Sequence, residues 1–152
     1  MQGRRASGAR DCPKVLLKAR YPSSTLARPV KPKKILVVDD SDLMHRMYGV
    51  MLRGAGLVGA RDGEEALERI AGDPEIDLVL LDINMPKMNG FEVLQELGAR
   101  GRIPALRVIV VTTEGRDEDA RRGLAAGAAA YLTKPFRAEE VRAAIAALPE
   151  PE

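Results

Sequence analysis

Asp39-Asp40, Asp82, Thr112-Thr113 and Lys134 are the residues of this 152-residue chain whose types and positions suit joint chemistry. Each group closes a short run rich in apolar and β-branched residues. Three carboxylates brought to one small crevice repel one another, so a proton or a cation must sit among them. Hard oxygen donors with room left for water favour Mg²⁺. The Lys134 ammonium and the Thr112 hydroxyl complete a set that neutralises and hydrogen-bonds the equatorial oxygens of a phosphoryl group. Phosphoryl transfer is mostly positioning plus such neutralisation, and a carboxylate can itself be the nucleophile, giving an aspartyl phosphate. Asp82 ends the most apolar run and is therefore expected on a central strand, ringed by the others. A lone Asp at a strand end is ordinarily a helix cap or a loop residue, and a lone Lys-Pro a turn. What points to chemistry is the coincidence at four strand ends.

The elements that must position these groups alternate. Strands are expected at 35–38, 57–60, 76–81, 108–111 and 129–133. A first helix, capped by Ser41 or Asp42, carries Leu43, Met47, Val50 and Met51 on one face and stops at Gly54 and Gly56. Asp62 to Glu65 resembles a capping box, opening a helix striped by Ala66, Leu67, Ile70 and Ala71. Phe91, Leu94 and Leu97 mark a third helix. A polar fourth helix spans 116–126 and ends at Gly127, and Val141, Ala144, Ile145 and Leu148 stripe the last. Five strand–helix pairs in strict alternation favour parallel pairing with right-handed crossovers, a doubly wound α/β sandwich. Its site lies beyond the carboxyl ends of the strands, where the chosen residues fall.

Composition narrows the functional classes. Apolar residues are 45% and charged residues 30%, enough for one ordinary core. No apolar run approaches the roughly 20 residues of a membrane span. Cys12 and His45 are the only residues of their types, so an internal disulfide and a structural zinc site are both excluded. His45 is expected at the surface of the first helix, and the methionines are expected to be packing rather than a metal box. The few aromatic residues cannot build a stacking platform for single strands. Gly54 to Gly59 matches G-x-G-x-x-G, but these glycines follow a helix and open a strand, the reverse of a dinucleotide site. Charge is divided unevenly: residues 1–34 hold ten Lys/Arg and one acid, a net +9, whereas the other 14 bases and 21 acids give −7. Residues 1–33 are interrupted by Pro13, Pro22, Pro29 and Pro32 and are expected to form a disordered basic arm. Their one apolar cluster, Val15-Leu16-Leu17, is too short for a signal peptide.

The stretches ILVVDDS (35–41), LLDINMPKMNGFE (80–92), VIVVTTEG (108–115) and GAAAYLTKPF (127–136), with intervals of thirty positions from Asp82 to Thr112 and twenty-two from Thr112 to Lys134, resemble the receiver domain of two-component response regulators, most of all the CheY-like, single-domain chemotaxis type. The resemblance covers residues 34–148 and leaves 149–152 as a tail. It implies a flavodoxin-like sheet of order 2-1-3-4-5 with helices on both faces.

The resemblance further implies that Asp82 accepts a phosphoryl group from a histidine kinase or histidine phosphotransfer protein. Asp40, Asp82 and the main-chain carbonyl of Asn84 would bind Mg²⁺, with Asp39 helping through a water. Lys134 would pair with the phosphoryl oxygens, and Lys134-Pro135 is often cis in such domains. Thr112 would swing toward the phosphoryl group and Tyr131 turn inward behind it, altering a partner face on the fourth helix, fifth strand and fifth helix. Ala120, Leu124, Tyr131 and Thr133 are the candidates for that face.

Thr113 is bulkier than the usual Ala, Ser or Gly, and is expected to crowd the phosphoryl pocket. Asn84 and Glu114 flank the pocket and are expected, with Thr113, to tune the lifetime of the phosphorylated state. Three classes remain: a switch acting on a downstream protein target, a phosphorelay carrier or phosphate sink, and an enzyme acting on small phosphorylated molecules. The last commonly needs a second acid two residues after the nucleophile, where this chain has Asn84. A signalling protein rather than an enzyme is thus expected, cytoplasmic, with no membrane span and no DNA-binding output domain after Leu148.

Overall fold

The computed structural model describes residues 15–17, 32–85, 88–103, 105–113 and 117–148. Strands β1 (Val15–Leu17), β2 (Lys34–Val38), β3 (Gly56–Ala60), β4 (Ile76–Asp82), β5 (Arg107–Thr112) and β6 (Ala130–Thr133) form one sheet. Helices α1 (Asp42–Met51), α2 (Gly63–Gly72), α3 (Gly90–Ala99), α4 (Asp117–Ala125) and α5 (Ala138–Ala146) cover its faces. The sheet order is β1-β6-β5-β4-β2-β3. Strands β2 to β6 pair in parallel, so counted among themselves they run 2-1-3-4-5, as expected.

The parallel strands are apolar on both faces, because helices cover both. Alternate residues therefore feed two separate cores. Leu36, Val38, Val79, Leu81, Val108 and Val110 pack beneath α2, α3 and α4. Ile35, Val37, Leu78, Leu80, Ile109 and Val111 pack beneath α1 and α5. The five central residues of β5 after Arg107 are at most 1% exposed. At roughly 25 cal/mol per Å² of apolar area removed from water, this two-sided burial is the main stabilising contribution.

Local signals start and stop the helices largely where expected. Ser41 caps α1, its hydroxyl accepting the Met44 N–H at 3.3 Å. Asp62 caps α2 by accepting the Glu65 N–H at 2.9 Å, but the Glu65 carboxylate reaches back to the Arg61 N–H rather than to Asp62, so the box is displaced by one residue. A reciprocal capping box instead opens α3, between Asn89 and Glu92. Gly127 leaves α4 at φ +116°, a conformation that favours glycine.

Two expectations are corrected. The arm is not wholly unstructured: Val15–Leu17 adds an antiparallel strand to the β6 edge, with Leu16 opposite Tyr131. An unpaired β6 edge is a row of unmet backbone groups, and a short apolar segment tethered nearby can fill it despite its polar setting. The buried face of α1 is also not the one expected. Leu43 and Val50 are 63% and 65% exposed. Tyr48 is 1% exposed, with Met44, Met51 and Leu52 beside it. Its ring stacks on Phe136 with centroids 5.7 Å apart, and burying that large aromatic surface outweighs a stripe of smaller aliphatic residues.

Gly90 shows how tightly α3 abuts the site. A Cβ there would lie 2.8 Å from the Asp82 carbonyl oxygen and 2.9 Å from Ile83 Cα. Backbone cannot retreat as a side chain can. Gly90→Ala is expected to lower stability by about 1–3 kcal/mol, as overpacking does, read as a lower urea midpoint with an unchanged slope.

Candidate functional site

The carboxyl ends of four neighbouring parallel strands deliver the four expected groups to one crevice. Asp39 and Asp40 follow β2, Asp82 ends β4, Thr112 ends β5, and Lys134 follows β6. Carboxylate oxygens of Asp39, Asp40 and Asp82 lie within 4.8 Å of one another. Asp39 and Asp82 are 2% and 5% exposed, whereas Asp40 faces solvent.

Each buried carboxylate is held. Asp39 Oδ1 accepts the Ser41 N–H at 2.9 Å and Oδ2 accepts Lys134 Nζ at 2.9 Å. Lys134 Nζ lies 3.8 Å from Asp82 Oδ2, so in this state the ammonium is closer to Asp39 than to the expected acceptor. Asp82 Oδ1 accepts the Asn84 N–H at 3.2 Å. The Asn84 side-chain amide donates to Thr112 Oγ1 at 3.2 Å and reaches Thr113 Oγ1 at 3.5 Å. The Lys134 N–H donates to the Thr112 carbonyl at 2.7 Å, tying the ends of β5 and β6 together. Lys134-Pro135 is cis.

Burial pushes the Asp82 carboxyl up to about 6. The Lys134 ammonium and the Asn84 N–H pull it down, and the neighbouring Asp39 and Asp40 push it further up. Burial, reinforced by Asp39 and Asp82, also raises the Tyr48 phenol far above its ordinary range. Among the described residues the crevice thus has an excess of negative charge over the Lys134 ammonium, and three hard oxygen donors in mutual reach fit a divalent cation.

His45, expected at the surface of the first helix, belongs to the site instead. It is half-buried rather than a surface side chain, and its Nε2–H donates to the Asp39 carbonyl at 2.7 Å, which fixes the backbone on which the acidic pair sits. A Cβ at Gly59 would come within 2.9 Å of the imidazole, so the bare strand β3 is what makes room for it. The available signal was its place on the first turn of α1, directly after the acidic pair.

Two clefts flank the crevice. One, of about 500 Å³, is lined by Met44, Met47, Thr113, Lys134, Pro135 and Phe136. The other, of about 260 Å³, lies among Asn84, Phe91, Thr112 and Arg122, whose guanidinium sits 4.1 Å over the Phe91 ring. Thr113 is solvent-exposed at the rim of the first cleft, and Asn84 is exposed on the wall of the second. Glu114 lies outside the described residues. Of the four residues assigned to the partner face, Ala120 of α4 and Tyr131 of β6 are fully buried in the core between that helix and the sheet; only Leu124 and Thr133 reach solvent, each in part.

The family model for the response regulator receiver domain matches residues 35–146. The chain is 40% identical over 117 residues to the transcriptional regulatory protein CpxR of Escherichia coli, covering 76% of this chain and 48% of CpxR. It is 37% identical over 117 residues to the two-component response regulator PhoP of Pseudomonas aeruginosa, covering 76% and 51%. A gliding motility regulatory protein of Myxococcus xanthus is 36% identical over 126 residues, 78% of this chain but 16% of that protein. The chain thus spans about half the length, or much less, of these curated relatives. Among solved structures, chemotaxis protein CheY4 of Vibrio cholerae superposes with a TM-score of 0.66 at 34% identity, covering 71% of this chain and 91% of that one. The CheX-CheY-BeF3-Mg complex of Borrelia burgdorferi gives 0.70 at 30% identity, covering 76% and 87%. With its acidic crevice built on the expected fold, the chain belongs to the response regulator receiver domains of two-component systems.

Proposed function

We propose that this chain is a phosphorylation-activated switch, of the chemotaxis type, that accepts a phosphoryl group on Asp82. The single observation supporting this most directly is the convergence of Asp39, Asp40, Asp82 and Lys134 in one crevice beside the Thr112 hydroxyl. The donor would be the phosphohistidine of a histidine kinase or histidine phosphotransfer protein. An Asp82 carboxylate oxygen attacks phosphorus, the P–N bond breaks, and its electron pair leaves with the imidazole, which takes up a proton. Asp39, Asp40, Asp82 and the Asn84 carbonyl would hold Mg²⁺, which when bound supplies neutralising charge to the phosphoryl oxygens. Lys134 supplies a second positive charge and Thr112 a hydrogen-bond donor. Asn84 and Thr113, which touch each other at the crevice mouth, are placed to set how readily water reaches the phosphorylated residue.

The product is a signal rather than a released metabolite, so we assign no enzymatic role beyond this self-phosphorylation and its hydrolysis. The work of the switch is done by the new dianion, which biases the ends of β5 and β6 and so the face of α4, β6 and α5 toward a downstream protein target. The setting we assign is cytoplasmic; among the described residues no helix is long and apolar enough to cross a membrane. The test is incubation with acetyl phosphate and Mg²⁺ followed by intact mass. A gain of one phosphoryl group, absent in Asp82→Asn, is expected. An unmodified parent chain, or a variant that still gains the group, would overturn the assignment.

A further inference from the structure

The strand β1 lies on the edge of the sheet that belongs to the signalling face. It pairs antiparallel with β6 through Val15 opposite Leu132, Leu16 opposite Tyr131 and Leu17 opposite Ala130, and it lies against α5 as well. We propose that the β6 edge is a strand-addition surface held closed by the chain's own basic arm, and that phosphorylation at Asp82 loosens this strand. The second half of the proposal rests on the phosphoryl-acceptor reading above; the first half does not.

Four observations support it. The occupant is short: three residues make a minimal ladder, and Pro13, lacking an amide hydrogen, cannot donate to extend it. Its tether is long enough to permit release, since sixteen residues separate Leu17 from Lys34. Residues 1–33 hold nine bases and one acid, +8, against −6 on the remainder, so the arm is drawn to the body by charge as well as by pairing. Finally, β6 joins this edge to the crevice. Lys134, directly after β6, contacts Asp39 and Asp82, and its N–H is bound to the Thr112 carbonyl. A phosphoryl group on Asp82 draws Lys134 and the Thr112 hydroxyl toward it, and the end of β6 moves with them. Thr133 Oγ1, at that end, is buried without a hydrogen-bond partner among the described residues, an unmet cost of the present arrangement. The edge so exposed presents unpaired backbone groups to an extended segment of the downstream target, a recognition mode in which backbone pairing supplies affinity.

Amide hydrogen exchange of the full chain tests both halves. Leu16→Pro fixes φ near −65°, far from the antiparallel value, and removes an amide hydrogen. In this variant the β6 amides are expected to exchange at least about tenfold faster, while those of β2 and β4 keep the parent rates and so report an intact fold. A synthetic peptide of residues 11–21, added to the variant, is expected to slow β6 exchange again. In the parent chain, beryllofluoride with Mg²⁺ is expected to speed exchange in β1, and raised salt to do the same by screening the arm. Unchanged β6 exchange in Leu16→Pro overturns the strand-addition surface. Unchanged β1 exchange with beryllofluoride, in a chain that acetyl phosphate does modify, overturns the coupling alone. A chain that acetyl phosphate leaves unmodified removes the acceptor reading and the coupling with it, and the Leu16→Pro comparison still decides the surface.

Discussion

Lys134→Met is expected to reduce the rate of phosphoryl acceptance by about two to three orders of magnitude, the usual cost of removing a preorganised charge from a transition state. The ammonium sits 2.9 Å from Asp39 and 3.8 Å from Asp82. No other cation among the described residues forms an ion pair with either carboxylate. The same substitution is expected to destabilise the metal-free protein. Asp39 and Asp82 are nearly inaccessible to solvent, and stripping a buried charge of its partner costs about 3–5 kcal/mol when it cannot relax. Relaxation is available here, because Asp82 titrates near 6 and can take a proton. A loss of about 2–3 kcal/mol at pH 7 is therefore expected, below the unrelaxed limit. Two further measurements separate this cause from lost packing of the lysine stem. Adding Mg²⁺ should restore much of the lost stability, because a cation that binds only the folded state stabilises it by mass action. The double variant Lys134→Met with Asp39→Asn should be more stable than the sum of the single changes allows, because the carboxylate left unpaired is gone. Acceptance within about threefold of the parent rate would show that Lys134 stabilises charge only in the resting state.

That lysine was visible in the sequence because chemistry sat at four of the five expected strand ends simultaneously. Parallel strands buried on both faces read as near-continuous apolar runs, so their ends are sharp, and the first polar residue after each marks the crevice. Asp82 is both the end of the longest strand and the centre of the site. Other features depend on contacts far apart in sequence. Pairing of Val15–Leu17 requires an open β6 edge more than a hundred residues away, and no local propensity in a proline-rich basic segment announces it. On α1, Leu43, Met47 and Val50 form as good a stripe as Met44, Tyr48 and Met51; the choice between them is made by the Phe136 ring on α5's approach. Ala120 and Tyr131 were candidates for the partner face because the resemblance puts that face on the helix and strand to which they belong. Each alternates inward, Tyr131 into the core under α4. His45 was misplaced at the surface for a different reason: its partner is a backbone carbonyl, and backbone partners leave no trace in residue types.

Asp82→Asn is expected to stabilise the metal-free protein at pH 7 while abolishing phosphoryl acceptance. An aspartate whose carboxyl is raised from 3.8 to about 6 by burial holds its proton more tightly when folded than when unfolded. Between pH 4 and pH 6 the native state therefore binds a proton that the unfolded state lacks, and stability falls as pH rises through this window. Above pH 6 the whole cost of the buried charge is present, about 2–3 kcal/mol at about 1.4 kcal/mol per unit. Asparagine keeps the shape and an acceptor for the Asn84 N–H but carries no charge. The advantage of the variant should be largest above pH 6 and shrink as pH falls toward 4, where the parent carboxyl is neutral too. Saturating Mg²⁺ should narrow the gap from the other side, by stabilising the parent more than the variant, and this narrowing should itself fade below pH 6 as Asp82 protonates. Urea unfolding at several pH values, with and without Mg²⁺, reads all of these. A variant less stable than the parent at pH 7 without metal would mean that Lys134 already compensates Asp82 in full, and that the crevice has no charge imbalance left for a cation to relieve.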